Sequence, residues 1–378
     1  RFSDGCIRWS QRTVLMNIYD LDTPALLVDF GTMDRNLRRM ATYCAAHHLA
    51  LRPHTKTHKI PEIARLQMQY GATGITVAKL GEAEVMADAG VNDILIVYPI
   101  WGEMKWKRVA ELAKRAKISV AMDSFQVAEG ISQAAKAAGV EIGIRLEFDT
   151  GFCRCGLTLD TESIEIAKKI LELPCLRWEG ISLYPGHIMG NRKIRELDIS
   201  LENAKLDRLY GLLDSAGIPY PVASGGNTPA AFESHRFHGV TEIRPGTYVF
   251  NDRNTVDAES ASYADCAATV LTTVVSTSVP RRAIIDAGSK TLSADALLSG
   301  DRKYFGHVQG HPEFKLEDLS EEHGHLTLPQ SPATKVGDRL RVIPNHVCPC
   351  INLHDRVLIV EGDLVIDEWK IAARGKVT

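Results

Sequence analysis

Four stretches of this chain place reactive residue types close together. The first, Arg52-Pro53-His54-Thr55-Lys56-Thr57-His58-Lys59, follows a short apolar run and carries two lysines. Partial burial lowers an amine's pKa, so a lysine here could act as a Schiff-base nucleophile, although a solvated basic turn accounts for the same residues equally well. The second, Ser224-Gly225-Gly226-Asn227-Thr228-Pro229, is a glycine-rich loop entering a helical pattern, and its backbone N–H groups could hold a phosphate. One Gly-Gly pair is a weak signal. The third, Arg244-Pro245-Gly246-Thr247-Tyr248, follows the next apolar run, and Glu147 to Gly156 supplies a further polar stretch, Glu-Phe-Asp-Thr-Gly-Phe-Cys-Arg-Cys-Gly.

Each of these stretches lies at the end of a run that reads as a strand. Eight such runs occur from residue 49 onward: Leu49–His54, Gly74–Ala78, Asp93–Tyr98, Ile118–Asp123, Glu141–Phe148, Trp178–Tyr184, Tyr220–Ser224 and Thr241–Arg244. Helical periodicity fills Pro61–Tyr70, Gly81–Ala89, Glu103–Ala116, Gln126–Ala138, Glu162–Leu173 and Arg195–Ala216. Strands alternating with crossover helices make parallel sheets, and eight units can close into an α/β (β/α)8 TIM-type barrel, with an open doubly wound sheet as the alternative. In a barrel the reacting groups sit at the C-terminal strand ends, where the polar stretches fall. After about residue 264 short β-branched runs take over at 268–276, 282–286, 339–343, 356–360 and 364–369, which reads as a C-terminal antiparallel β domain. The expected division is a barrel over 22–264 and a β domain from 1–21 and 265–378, with the first twenty residues a candidate for one more strand of it.

Composition narrows the partners. Of 378 residues 45% are hydrophobic and 24% charged, and 44 Lys plus Arg against 47 Asp plus Glu leave a formal charge of −3. No block of like charge suggests nucleic acid, and no apolar run approaches the roughly 18 residues a membrane helix needs. Eight scattered cysteines without a preceding apolar signal segment do not make a disulfide scaffold, so a reducing cytoplasm and a small-molecule partner are expected. The chain opens at Arg1 rather than Met, which leaves its true N-terminus open.

In this order and spacing, Arg-Pro-His-Thr-Lys, Asp-Thr-Gly-Phe-Cys-Arg-Cys-Gly, Ser-Gly-Gly-Asn-Thr-Pro and Arg-Pro-Gly-Thr-Tyr resemble the alanine-racemase-type (fold type III) pyridoxal phosphate enzymes. Past the barrel, Glu321-Glu322-His323-Gly324, Pro344-Asn345-His346-Val347-Cys348-Pro349 and Asn352-Leu353-His354-Asp355 resemble the C-terminal region of the D-threonine aldolase and D-serine dehydratase family. The resemblance implies that Lys56 carries pyridoxal 5'-phosphate, with Lys59 a surface residue opening the next helix. It also implies that Gly225, Gly226, Asn227, Gly246 and Thr247 surround the cofactor phosphate with Tyr248 beside it, and that Tyr184 and His187 face the cofactor or substrate. His54, Arg154, Ser224 and Thr228 complete the cofactor-binding set, with Arg154 in a supporting position. Arg244 aligns with the arginine that in alanine racemases contacts the pyridine nitrogen.

His346 and Cys348 resemble the family's metal-binding pair, for Zn, Mn or Mg. A histidine and a thiolate two apart on an extended segment can point to one side, and that donor pair suits Zn²⁺. Without the resemblance, a buried cysteine and a hydrogen-bonded histidine would be favoured. Cys350 is expected to be a bystander, and Cys153 and Cys155 to be packing residues. The activity implied is a lyase on D-3-hydroxy-α-amino acids, acting as a homodimer. Retro-aldol cleavage to glycine and an aldehyde, as in D-threonine aldolases, is weighed against D-serine or D-3-hydroxyaspartate dehydration to an oxo acid and ammonia. The family's aldolases place His-x-Asp at the metal and its dehydratases His-x-Cys, which this chain has, yet Cys350 to Asp355 is closer to the aldolase version. An amino-acid racemase, suggested by Arg244, and a non-enzymatic carrier are further alternatives, and the long β domain argues against the carrier.

Overall fold

The structure, a computed structural model, describes residues 16–299, 302–329 and 334–378. They form two compact units: one holds residues 36–249, 255–262 and 372–378, the other the residues up to Arg35 together with 250–254 and 263–371.

In the first unit eight parallel strands follow one another in sequence order: β1 Ala50–Leu51, β2 Ile75–Val77, β3 Asp93–Ile96, β4 Lys117–Met122, β5 Ile142–Phe148, β6 Leu176–Leu183, β7 Val222–Gly225 and β8 Glu242–Ile243. The last pairs with the first. The ring closes where His54 bridges Thr76 and where Thr73 and Thr76 donate to the carbonyls of Leu51 and Pro53, both at 2.8 Å. Pro53 has no N–H to donate, so one bond toward β2 is missing, while the Arg52 and His54 amides continue the ladder to the Ile243 and Pro245 carbonyls. β5 is buried at every position, as expected of a parallel strand covered on both faces. The barrel and all eight expected strands are therefore present. Two differences lie at its edges. A helix at Phe30–Ala46 precedes β1 where no element was read, and between β7 and β8 there is only a 3-10 segment, Ala231–Arg236.

In the second unit ten strands form one largely antiparallel sheet, beside a two-stranded hairpin. Ala25–Asp29 belongs here, pairing antiparallel with Ala268–Ser276 and parallel with Arg356–Glu361. It is an apolar run that local pattern alone assigns equally well to the barrel. The expected boundary at residue 22 thus falls before a strand of the β unit, and residues 372–378 return to the barrel unit, where the Thr378 carbonyl accepts from Gly81. Met16–Asn17 adds a strand against Leu364–Lys370, and the rest of the first twenty residues up to 15 lies outside the described residues. No helix among the described residues is long and apolar enough to cross a membrane.

Candidate active site

The lysine turn comes directly off β1. His54 caps a 3-10 turn, Thr55–Thr57, and its Nδ1 accepts from the Lys56 backbone N–H at 3.3 Å. Burial, reinforced by the Lys56 and Arg244 charges, holds the His54 imidazole far below its ordinary range, so it is neutral. Lys56 is half-buried and makes no ion pair among the described residues, and its Nζ lies 5.8 Å from the centre of the Tyr184 ring. Lys59 corrects an expectation. It is buried rather than on the surface, with φ of 57°, and its Nζ is 2.8 Å from the buried Glu82 carboxylate. That carboxylate accepts the Ala78 and Lys79 amides at the start of a helix, and a charge so buried needs a cation.

Tyr184 follows β6. Its ring packs edge-on against Phe152 at 5.1 Å, and the Arg154 guanidinium lies 4.4 Å from its centre. Glu147, near the end of β5, is buried; burial pushes its carboxyl up against the pull of Arg244 and Arg154. The Asp149 carboxylate accepts from the Gly151 and Cys153 amides at 2.9 and 3.0 Å, turning this loop outward. Cys153 is in consequence exposed and has no packing role, while Cys155 is half-buried.

At the ends of β7 and β8 the chain builds a buried polar layer that sequence reading did not single out. Glu242 accepts from Arg145 (2.5 Å), Ser224 Oγ (2.6 Å) and Arg52 (2.8 Å). Burial would raise its pKa, but Arg52 and Arg145 outweigh that and hold it at about 2. Ser224 Oγ in turn accepts from Arg244 at 2.5 Å, and the second Arg244 nitrogen donates to the Leu183 carbonyl at 2.8 Å. Burial brings the Arg244 guanidinium down to about 10, with Glu147 and Glu242 resisting. Alternating strand residues that look like mere polar interruptions in an apolar run are the signal here.

The loop residues divide by role. Thr228 Oγ1 accepts from the Gly246 and Thr247 amides at 3.3 and 3.1 Å, so two backbone N–H groups converge on one oxygen. Gly226 has φ of 88°, the left-handed region in which glycine is at no disadvantage. Gly246 has no room for a side chain: a Cβ would lie 2.8 Å from Thr57 Oγ1 and 3.1 Å from the His54 carbonyl. Asn227 uses both amide hydrogens structurally, donating to the Pro185 and Ile188 carbonyls at 2.8 and 2.9 Å, and thereby fixes the segment that carries His187. The buried Tyr248 hydroxyl accepts from Gln67 at 3.0 Å, so its polar end is engaged toward the helix Pro61–Gln69.

These residues fit pyridoxal phosphate. The paired amides already hold an oxygen where a phosphate oxygen could sit, the half-buried amine of Lys56 has no competing carboxylate, and Arg244 is a fixed cation without an acceptor. Lys56, His54, Tyr184, Arg154, Ser224, Arg244 and the loops at 225–228 and 246–247 all come from the barrel unit.

The expected metal pair lies in the β unit. Strand Arg339–Pro344 ends just before Asn345, whose amide donates to the Asp295 and Tyr304 carbonyls at 2.8 and 2.6 Å. The segment is not extended throughout: His346 caps a short helix, Val347–Asn352, with the Asp252 carboxylate accepting the Val347 amide at 3.0 Å, so Cys348 sits in a first turn. The two side chains still meet. His346 Nδ1 pairs with Asp295 at 2.9 Å, and although burial works against its charge, Cys348 and the Asp252 and Asp295 carboxylates raise its pKa to about 9. A carboxylate behind a histidine with a thiol alongside fits a borderline divalent ion such as Zn²⁺. Among the described residues no cluster of three or more metal-binding side chains occurs. Cys350 is fully buried and donates to the Thr291 carbonyl at 3.3 Å.

Known proteins resemble this chain over most of its length. Residues 28–254 match the alanine racemase N-terminal domain, and residues 267–360 a putative serine dehydratase domain. The chain is 36% identical to a D-threonine aldolase of Arthrobacter sp. over 94% of its own length and 93% of the relative's. It is 32% identical to a D-threo-3-hydroxyaspartate dehydratase of Delftia sp. (strain HT23), over 87% of this chain and 91% of that one. The crystal structure of D-threonine aldolase from Filomicrobium marinum superposes with a TM-score of 0.90 at 29% identity, covering 97% of this chain and 99% of that chain. The chain belongs to the alanine-racemase-like family of D-threonine aldolases and D-serine dehydratases, and it is a pyridoxal-phosphate-dependent lyase.

Proposed function

We propose that the protein cleaves D-3-hydroxy-α-amino acids by retro-aldol reaction, releasing glycine and an aldehyde, with pyridoxal 5'-phosphate on Lys56 and a divalent ion on His346 and Cys348. The observation that carries this reading is the half-buried Lys56 amine, unpaired among the described residues, with its Nζ 5.8 Å from the Tyr184 ring centre. When bound, the cofactor supplies an aldehyde for the substrate amine and an electron-poor ring that takes up charge developing at Cα; the ion would polarise a substrate oxygen. The chain's own residues do the rest. Arg244, a buried cation with no acceptor, would face the ring nitrogen without giving it a proton to keep, and the Gly246 and Thr247 amides would hold the phosphate. Tyr184 bounds the substrate's side, and His187 is the base that takes the hydroxyl proton.

A second reading, dehydration to an oxo acid and ammonia, is supported by Cys348, since His-x-Cys is the dehydratase form of the pair. Incubating the purified protein with D-threonine decides between them: glycine with acetaldehyde supports the aldolase, 2-oxobutanoate with ammonia the dehydratase. The same preparation should act on D- and not L-threonine, because three fixed points of attachment let only one Cα configuration present its breaking bond. We place the enzyme in the cytoplasm as a homodimer.

A further inference from the structure

His187 has an unusual neighbour. It sits on the segment after β6 that Asn227 ties down. On the helix Arg192–Ser215, Glu202 is 1% exposed, and its Oε2 lies 3.6 Å from His187 Nε2 and 3.9 Å from Lys205 Nζ. Neither that oxygen nor the buried Thr150 Oγ1 completes a well-formed hydrogen bond, although the Thr150 hydroxyl lies close enough to act on the carboxyl. The Lys205 Nζ donates to the Thr150 carbonyl and stays 3.9 Å from Oε2, outside hydrogen-bond length. Gly151, at φ of 125°, leaves the space clear: a Cβ there would lie 2.5 Å from Lys205 Nζ and 3.7 Å from His187 Cε1. A buried carboxyl oxygen held at these distances without a close hydrogen bond is costly to keep, so an acid in such a place calls for a use.

We propose that Glu202 is the relay partner of His187, accepting the imidazole's Nε2 proton as Nδ1 takes the hydroxyl proton of the substrate. This rests on the reading of His187 as the base. The substrate O–H bond breaks and an Nδ1–H bond forms; the Nε2–H bond breaks and an Oε2–H bond forms. The imidazole stays neutral throughout, and one negative charge passes from the carboxylate to the substrate oxygen. Afterwards the acid gives up its proton to product or water. Hydrogen bonds of this kind are often long before substrate binds, so 3.6 Å is within reach of closure.

The electrostatics agree. Burial raises Glu202 to about 7, with Thr150 and Lys205 pulling it down and Asp149 pushing it up. Burial and Lys205 lower His187, against Asp198 and Asp149. The two shifts together give the carboxylate the stronger hold on a proton, which favours transfer from the imidazole toward Glu202. Glu202 can accept only when ionised, so turnover should rise with pH through about 7.

Two readouts test this. In the holoenzyme, Glu202→Gln should lower kcat on D-threonine about a hundredfold, remove the limb of the pH profile near neutrality and leave KM within about twofold. Glu202→Asp, which restores an acceptor, should recover part of kcat and of the limb. In protein labelled with ¹⁵N-histidine, the His187 signals, identified by their loss in His187→Asn, should show an inflection near 7 that Glu202→Gln abolishes. The second measurement needs no turnover, so it judges the pair even if D-threonine proves not to be a substrate. A His187 titration identical in wild type and Glu202→Gln, or a pH limb that survives that substitution, would overturn the relay.

Discussion

At the residue scale, Lys56 and Lys59 differ by surroundings rather than by type. Lys59 is committed to Glu82 at 2.8 Å, whereas Lys56 has no carboxylate among the described residues. Borohydride reduction of the yellow holoprotein should therefore bleach its visible absorbance and leave a pyridoxyl group on the peptide containing Lys56, located by tandem mass spectrometry. A label on Lys59 instead would sink the assignment. At the other end of the chain, Cys348→Asp exchanges a soft thiolate for a hard carboxylate beside the same histidine. Adding back single ions to the stripped variant should show preference moved toward Mn²⁺ with some turnover retained; an unchanged metal profile at wild-type rate means Cys348 is not a ligand. Sequence could single out Lys56 and the His346-Cys348 pair because their motifs are local. It gave no hint that Lys59 is buried, because its partner Glu82 sits on another element, nor that Glu202 faces His187 across fifteen residues.

At the element scale, the barrel was legible because its eight runs and six helical stretches each declare a period, and strand order then follows from the sequence itself. What could not be read was how strands cooperate. Arg52, Arg145, Ser224 and Glu242 lie on or just after four different strands, and only closure of the ring makes them one buried layer. Glu242→Gln would leave both arginines buried without their shared anion, a loss of about 3–5 kcal/mol. The urea midpoint at neutral pH should fall accordingly. The sign of the pH effect also follows: the folded pKa of about 2 lies below the ordinary value of 4.5, so this contribution is complete above 4.5 and disappears as pH falls toward 2. Acid unfolding of the wild type should thus steepen in that window, and the variant should lack that part of the slope. Equal acid sensitivity in the two proteins would show that the layer is not what acid disrupts.

For the whole molecule, the question is whether cofactor and ion depend on each other. The contacts assigned to the cofactor, from Lys56 through Arg244 to the 246–247 amides, are all supplied by the barrel unit, and the ion's by His346 and Cys348 of the β unit. Each unit holds its donors with its own hydrogen bonds: Thr228 steadies the two amides, and Asp295 steadies His346. Chelation should for that reason abolish turnover while the visible absorbance of the bound cofactor persists, since nothing that retains the cofactor is a metal ligand. Conversely, if the proposed ion is bound, Lys56→Ala should lose the absorbance and match the wild type in metal content by elemental analysis. Full activity after chelation would remove the ion from the reaction and return weight to the racemase alternative that Arg244 raises, which needs a base on each face of the cofactor and no metal. Joint loss of cofactor and ion on chelation would instead mean that the two units fold around their ligands as one cooperative system, and the donors assigned to each would have to be sought across both.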